Sequence, residues 1–277
     1  MPPSGSINDH PLRIGAVNYL NTKPLVYGLA ERLPEARLVF DLPSRLADAL
    51  AADELDIALV PSVELAEHPE WSIVSDACIS CRGPVLSVKL LFRVPPAEVR
   101  SLALDEGSRT SAVLAQILLS HLYDQRPQLM TLPIGQRHEQ CNADAVLLIG
   151  DRAIRTNEND FAEVWDLGDR WCRWAELPFV FAMWVARPEI DTSMAESALS
   201  AARDQGYHHL HQIAEEQSQA MYLPSSLIEE YLSRNLNFYL GTKQRLGLDV
   251  FFRHAAQLGL VTDTPHIVNH DCPTKSA

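Results

Sequence analysis

Neutral hydrogen-bonding side chains cluster directly after the first apolar run of this sequence. The run at residues 12–17 ends at Asn18, and Tyr19, Asn21 and Thr22 follow it. Where a helix begins among such groups, its free backbone N–H groups and its dipole help them to bind an anion. Capping of that helix is an equally good explanation for Asn21 and Thr22. Asn18 directly ends the buried run and is the stronger candidate for a ligand contact.

Two serines occupy comparable positions further along the chain. Ser62 follows an apolar run at residues 56–60, and Ser87 interrupts an apolar stretch at residues 85–94. Each hydroxyl could face a ligand. The alternatives are structural, because Ser62 could cap a helix at 63–68 and Ser87 could be a buried serine bonded to backbone.

The segment DEGSRTS at residues 105–111 connects an apolar run to a helical pattern. Gly107 permits a close backbone approach, and Ser108, Thr110 and Ser111 place hydroxyls at the start of the helix. This combination is typical of a cradle for a carboxylate or phosphate. It lacks the GxxxxGK[ST] spacing of a nucleotide P-loop, so a triphosphate ligand is not indicated.

Two charged residues lie beside these segments. Arg109 is either a clamp for a ligand carboxylate or a solvated side chain, and the second interpretation is favoured. Asp151 follows the apolar run at 145–149 and could act as a general acid or base. An aspartate that caps the next helix is more common at such a position, and an acid near the ligand would repel an anion.

Other reactive residue types give weaker patterns. Cys78 and Cys81 have the spacing of a redox pair, but no second pair accompanies them for zinc. His208, His209 and His211 lack an accompanying set of carboxylates and are typical of a surface helix. No metal site and no cofactor are expected.

Charge and composition limit the kind of partner. The chain has 277 residues and a formal net charge of −13, which disfavours binding to nucleic acid or to an anionic membrane. Five cysteines, the absence of a secretory signal pattern and the absence of a membrane-length apolar run predict a cytoplasmic protein. Whether the protein is a monomer or a homodimer stays open.

Predicted strands and helices alternate along the chain, which predicts an α/β fold with mixed, mostly parallel sheets flanked by helices. Strands are expected at 12–17, 37–41, 56–60, 85–94, 101–104, 128–132, 145–149 and 179–186. Helices are expected at 25–33, 46–51, 110–123, 194–219, 225–234 and 244–258.

Prolines at 95–96 and at 178 and 188 indicate that the chain crosses twice between two lobes. We therefore expect a flexible tail at residues 1–11 and a first lobe built from 12–95 and 187–277. The second lobe, residues 96–186, is inserted into the first. In such folds a ligand binds outside the carboxyl ends of the strands, which here means the cleft between the lobes.

Six segments of the chain together resemble the chorismate dehydratase family, which acts in the futalosine route to menaquinone. The resemblance runs over residues 12–260. In chain order the segments are RIGAVNYLNTKPL at 13–25, LVPS at 59–62, GPVLSV at 83–88, DEGSRTS at 105–111, LLIGD at 147–151 and LPFVFA at 177–182. The resemblance implies a two-lobe periplasmic-binding-protein-like type II fold. It also implies a cofactor-independent hydro-lyase that converts chorismate to 3-[(1-carboxyvinyl)oxy]benzoate.

The resemblance assigns roles to several residues. Asn18 and Ser87 correspond to positions that contact the substrate near the reacting centre, and so are the candidate catalytic residues. Ser108, Thr110 and Ser111 correspond to a loop that takes a carboxylate of the dianionic substrate. The further candidate binding residues are Tyr19, Ser62, Arg109 and Asp151.

The strand ends offer amides and hydroxyls and, apart from Asp151, no titratable acid. We therefore hypothesise that the substrate's own enolpyruvyl carboxylate takes the ring proton, while Asn18 and Ser87 hold the reactive conformation. Two alternatives compete with this activity. One is a non-catalytic cytoplasmic protein that binds or senses an aromatic or organic acid, and the other is the related 1,4-dihydroxy-6-naphthoate synthase.

Overall fold

The computed structural model describes residues 10–262 and 264–265, and β-strands recur along this range. In chain order they are β1 (Arg13–Val17), β2 (Arg37–Asp41), β3 (Ile57–Pro61), β4 (Ser72–Cys81), β5 (Val88–Phe92), β6 (Ser101–Asp105), β7 (Gln128–Leu132), β8 (Ala145–Ile149), β9 (Glu163–Asp166), β10 (Phe179–Ala186) and β11 (Asn237–Tyr239).

Helices cover both sheets and form most of the C-terminal part. They are α1 (Leu29–Arg32), α2 (Pro43–Ala51), α3 (Glu64–Glu67), α4 (Thr110–Tyr123), α5 (Gly150–Ile154), α6 (Leu167–Ala175), α7 (Ser193–His208), α8 (Leu210–Met221), α9 (Ser225–Glu230) and α10 (Thr242–Gln257). A 3-10 segment at Leu20–Val26 follows β1, and a π-helical turn at Tyr231–Asn235 follows α9. Within the described residues, no helix is long and apolar enough to cross a membrane.

The strands form two sheets, with the orders β11-β4-β10-β3-β1-β2 and β7-β6-β8-β5-β9. Each sheet has a parallel part, β2-β1-β3 in the first and β7-β6-β8 in the second. The remaining pairings are antiparallel. The sheets are therefore mixed as expected, but parallel pairing does not predominate. The strands that follow a crossing, β5 and β10, enter their sheets antiparallel to the neighbours β8 and β3.

The two crossings between the sheets fall earlier than the sequence predicted. β5 pairs with β8 and β9 in the second sheet, and β10 pairs with β3 and β4 in the first. The chain therefore crosses at residues 82–87 and again at 176–178, not at 95–96 and 186–187. Pro95 and Pro96 stand at a turn inside the second lobe, between β5 and β6. Residues 1–9 of the expected tail and residues 266–277 of the expected first lobe lie outside the described residues.

Several elements coincide with their predicted bounds, including α4, β7, β8 and β10. The helix predicted over 194–219 is instead two helices that meet at His209. The ring of His209 stacks on Tyr27 with centroids 4.8 Å apart, so the break is associated with a contact distant in sequence. β4, β9, α6 and β11 were not among the expected elements. The three-residue β11 and four-residue β9 are too short to show a periodic pattern.

One cluster of buried apolar side chains runs through both lobes. It includes Leu59 of β3 and Trp184 of β10 in the first lobe, and Leu118 of α4 and Trp165 of β9 in the second. Helix α10 of the first lobe packs against α4 of the second. The two lobes are therefore closed on each other, and polar residues at the strand ends line the space left between them.

Candidate active site

A cavity lies between the lobes. It is bounded by Val17 and Pro61 at the carboxyl ends of β1 and β3, and by Ile149 at the end of β8. The carboxyl ends of parallel strands from both sheets therefore border this cavity. Its neutral polar lining consists of Tyr19, Asn21, Ser87, Ser108, Thr110 and Ser111.

Arg109 alone carries a charge among the described residues that line the cavity. Its guanidinium donates to Glu64 Oε1 at 3.1 Å and to Asp48 Oδ1 at 2.6 Å, both in the first lobe. The Glu64 side chain is 4% exposed. Arg109 is thus a partly exposed side chain and not an unpaired clamp, because its charge is balanced by two carboxylates across the cleft.

The loop before α4 is organised by a buried aspartate. Asp105 Oδ1 accepts the Gly107 N–H at 3.0 Å, while Oδ2 accepts the Ile149 N–H at 3.1 Å and pairs with Arg152. Burial raises the pKa of Asp105, although Arg152 and the two N–H donors oppose that rise. A Cβ on Gly107 would lie 3.3 Å from the Tyr19 hydroxyl, so the loop backbone approaches the first lobe closely.

The start of α4 provides the strongest feature for an anion. The helix has 14 residues and no side chain caps its first turn. The first N–H groups of an α-helix have no intrahelical acceptor. Here they lie among Ser108, Thr110 and Ser111, as predicted from the segment 105–111.

Thr110 and Ser62 join the lobes behind this helix start. Thr110 Oγ1 accepts the Val63 N–H at 3.1 Å and lies 3.3 Å from Ser62 Oγ. The Ser62 hydroxyl donates to the Val180 carbonyl at 2.8 Å, and Ser62 is 0% exposed. Ser62 does not line the cavity, contrary to its prediction as a ligand contact, because its hydroxyl donates to Val180 of the neighbouring strand β10 in the same lobe.

Tyr19 reaches from the first lobe to the second across the cavity. Its ring carbons lie 2.9–3.0 Å from where a Cβ on Gly150 would be. Burial, followed by the charge of Asp105, raises the pKa of the Tyr19 phenol well above its usual range. The phenol therefore stays protonated at neutral pH and can act as a hydrogen-bond donor but not as a base.

Asp151 binds backbone of the opposite lobe. Its Oδ1 accepts the Leu20 N–H at 3.1 Å, at the start of the 3-10 segment that follows β1. The carboxylate therefore does not cap its own helix, and it is not among the residues that line the cavity. This placement does not match the prediction that Asp151 contacts the ligand. Its side chain is used as a bond between the lobes.

Asn18 and Ser87 have different surroundings. Asn18 is exposed at the end of β1 and is not among the lining residues, although its neighbours Val17 and Tyr19 are. Ser87 is 1% exposed and lines the cavity. Burial raises the pKa of the Tyr231 phenol far above its usual range, and this phenol lies near the side chain of Ser87.

Sequence reasoning missed three contributors to this site. Tyr231 lies in the π-helical turn after α9, and its phenol also lies near Asn21. Asp105 and Gly150 stand inside segments that were singled out, but no role was given to them. A glycine at the end of a strand was a usable signal for Gly150. No local pattern marks Tyr231, because its partners are far away in sequence.

The site as a whole can hold an anion with neutral donors and screen it from water. Among the described residues that line the cavity, none is a carboxylate or a histidine. Such a site can stabilise charge and orient a reactant.

A family model described as menaquinone biosynthesis matches residues 12–257 of this chain. The chorismate dehydratase of Thermus thermophilus is 31% identical over 234 residues, which are 76% of this chain and 82% of that protein. A solved structure from Archaeoglobus fulgidus has a TM-score of 0.71 at 14% identity, and covers 92% of this chain and 100% of its own. The periplasmic aliphatic sulphonate binding protein of Escherichia coli has a TM-score of 0.61 at 15% identity, covering 93% and 90%.

The structural likenesses confirm the predicted two-lobe fold of the periplasmic-binding-protein type. The sequence likenesses confirm the predicted family, because both span most of the chain. The chain belongs to the menaquinone-biosynthesis family that includes chorismate dehydratase.

Proposed function

We propose that this protein is a chorismate dehydratase that forms 3-[(1-carboxyvinyl)oxy]benzoate in the futalosine route to menaquinone. Family membership and the Thermus thermophilus relative support this activity. The observation that carries it is the composition of the cavity, where neutral donors surround the start of α4 and no lining carboxylate opposes an anion.

The reaction removes one ring hydrogen and the neighbouring ring hydroxyl of chorismate as water. The electrons of the broken C–H bond complete the aromatic ring as the C–O bond breaks, so that the net change is loss of one water. Aromaticity supplies the driving force, and we therefore propose that no cofactor is required. The protein has to hold the dianion in a reactive conformation and donate hydrogen bonds where charge develops.

One substrate carboxylate is proposed to bind at the start of α4, with Ser108, Thr110 and Ser111. A helix N-terminus binds anions through free N–H groups and its dipole. Arg109 adds little net charge because Glu64 and Asp48 neutralise it. The dianion is therefore held by N–H and hydroxyl groups more than by a free cation.

The enolpyruvyl carboxylate of the substrate is proposed to take the ring proton. This proposal is supported by the lining of the cavity, which offers no carboxylate, and by the raised pKa of Tyr19. Ser87 is placed to hold the substrate there. Asn18 remains a proposed contact because of the family resemblance and its position between Val17 and Tyr19, which both line the cavity.

The compartment is proposed to be the cytoplasm. Cys78, Cys81, Cys141 and Cys172 are free thiols, which is usual in reducing compartments.

The test is to incubate the purified protein with chorismate and to follow the aromatic product by absorbance and chromatography. We expect stoichiometric formation of 3-[(1-carboxyvinyl)oxy]benzoate. Ser87→Ala and Asn18→Ala should each lower kcat by about 10²-fold or more, as expected when a positioning contact is lost. Saturable binding of chorismate by the wild type without turnover would instead identify a binding protein and refute the proposal.

A further inference from the structure

The backbone just before Ser87 makes a tight and strained turn. The Ser87 N–H donates to the Val85 carbonyl at 2.7 Å, which closes a three-residue γ-turn around Leu86. Leu86 has φ +64°, in the left-handed region that a branched side chain rarely adopts. A γ-turn with such a central residue is uncommon, and strain of this kind persists only where the surroundings enforce it.

The side chain that enforces the turn is Asp166, at the end of β9. Its Oδ1 accepts the Val85 N–H at 2.9 Å, and its Oδ2 accepts the Leu86 N–H at 2.6 Å. Oδ1 also accepts the Asp169 N–H at 3.0 Å and so caps α6. One carboxylate thus fixes the crossing segment to the second lobe through two consecutive N–H groups.

Ser87 is held on its other side as well. Its carbonyl accepts the Gly150 N–H at 2.8 Å, and its side chain lies near the Tyr231 phenol. Because the Ser87 N–H closes the γ-turn, a change in that turn would move the Ser87 backbone and the hydroxyl attached to it. Without the bond to the Leu86 N–H, the turn would lose the contact that offsets the left-handed conformation.

We propose that Asp166 is a positioning residue, which holds Leu86 in its left-handed conformation so that Ser87 presents its hydroxyl to the cavity. The inference rests on the proposed function, in which Ser87 contacts the substrate near the reacting centre. Asp166 itself does not line the cavity and has no part in the proton transfer.

Asp166→Asn is a selective test because the two side chains have the same shape. The Asn oxygen can replace Oδ1 and retain the bonds to Val85 and Asp169, and Asn is itself a good helix cap. The Asn NH₂ group would then face the Leu86 N–H, donor against donor. We expect kcat to fall by about 10–100-fold with KM little changed, and the buried donor that loses its acceptor should also lower the unfolding midpoint.

A second substitution separates positioning from a general structural role. Leu86→Gly removes the cost of the left-handed conformation, because glycine adopts positive φ readily. In the Asp166→Asn background, Leu86→Gly should raise kcat at least tenfold. The matched control is Asp169→Asn in the same helix turn, whose side chain pairs with Arg173 and should leave kcat near the wild-type value.

A crystal structure of the Asp166→Asn variant tests the positioning role of Asp166 independently of turnover. The proposal expects Leu86 to leave the left-handed region and the Ser87 hydroxyl to move. An unchanged turn in that structure, a wild-type kcat, or a loss of kcat that Leu86→Gly does not restore would each overturn it. Failure of the wild type to convert chorismate would refute the proposed function instead, and the crystal structure would still test the positioning.

Discussion

The ring of Tyr19 packs so closely on Gly150 that a Cβ atom there would lie 2.9 Å from a ring carbon. Gly150 also has φ +63°, where a side chain is strained. Two independent reasons therefore require glycine at this contact between the lobes.

We predict that Gly150→Ala lowers both stability and activity. The strained φ alone should cost about 1 kcal/mol. The clash with Tyr19 should hold the lobes apart and lower kcat/KM by about tenfold or more. Gly259→Ala is the control, since Gly259 has φ +68° with open space around its Cβ position. It should lose stability without losing activity, and equal kcat/KM values for the two variants would contradict the steric explanation.

Substitutions of Asp151 test whether this carboxylate is a base or a bond between the lobes. Asp151→Asn keeps an acceptor for the Leu20 N–H, so kcat should stay within about tenfold of the wild type. Asp151→Ala removes that acceptor and should raise KM more than it lowers kcat, because closure becomes less favourable. Steady-state kinetics with chorismate distinguish the two variants. A drop of several orders of magnitude for Asp151→Asn, with binding intact, would show that Asp151 takes the proton.

Arg109 and Glu64 form a pair whose coupling can be measured. Arg109→Gln leaves the buried Glu64 carboxylate without its guanidinium and should cost about 1–3 kcal/mol of stability. The double variant Arg109→Gln/Glu64→Gln should recover most of that loss and most of the activity. Urea unfolding and kinetics on the four proteins give the coupling. If stability recovers in the double variant but KM remains high, Arg109 binds the substrate directly.

The pH dependence of stability should report on Asp56. Burial alone would raise the pKa of Asp56, but hydrogen bonds from Arg13 and Arg187 outweigh burial and lower it to about 2. The folded pKa lies below the unfolded value of 3.8, so this stabilisation is present above about pH 4 and is lost as pH falls through about 2. Its size is about 2 kcal/mol.

Asp56→Asn should therefore be less stable than the wild type at pH 7, and the difference should shrink towards pH 2. Urea unfolding across this range measures it. Asp53→Asn is the control, because the exposed Asp53 pairs with the same Arg187. A surface pair of that kind contributes less than about 1 kcal/mol. A difference between wild type and Asp56→Asn that does not change with pH would contradict the assignment.

Local sequence patterns were enough to predict most of the strands and helices and to single out the segment 105–111. The apolar run of β8 and the helical pattern of α4 are visible because burial imposes a period on consecutive residues. The segment 105–111 could be recognised from its own residues, because Gly107 and three hydroxyl residues adjoin a helix start. The crossing positions were placed too late because Pro95 and Pro96 mark a turn inside the second lobe, and nothing local distinguishes such a turn from a crossing.

The partners of the site residues were decided by tertiary structure. Ser62 and Asp151 were expected to meet a ligand, but each hydrogen-bonds with backbone from a distant part of the chain, at Val180 and at Leu20. The same holds for the bonds of Asp166 to the turn at Leu86. The sequence by itself determined which groups stand at the strand ends. Only the closure of two lobes decided which of them face the cavity, because a hydrogen bond between distant residues leaves no period in the chain.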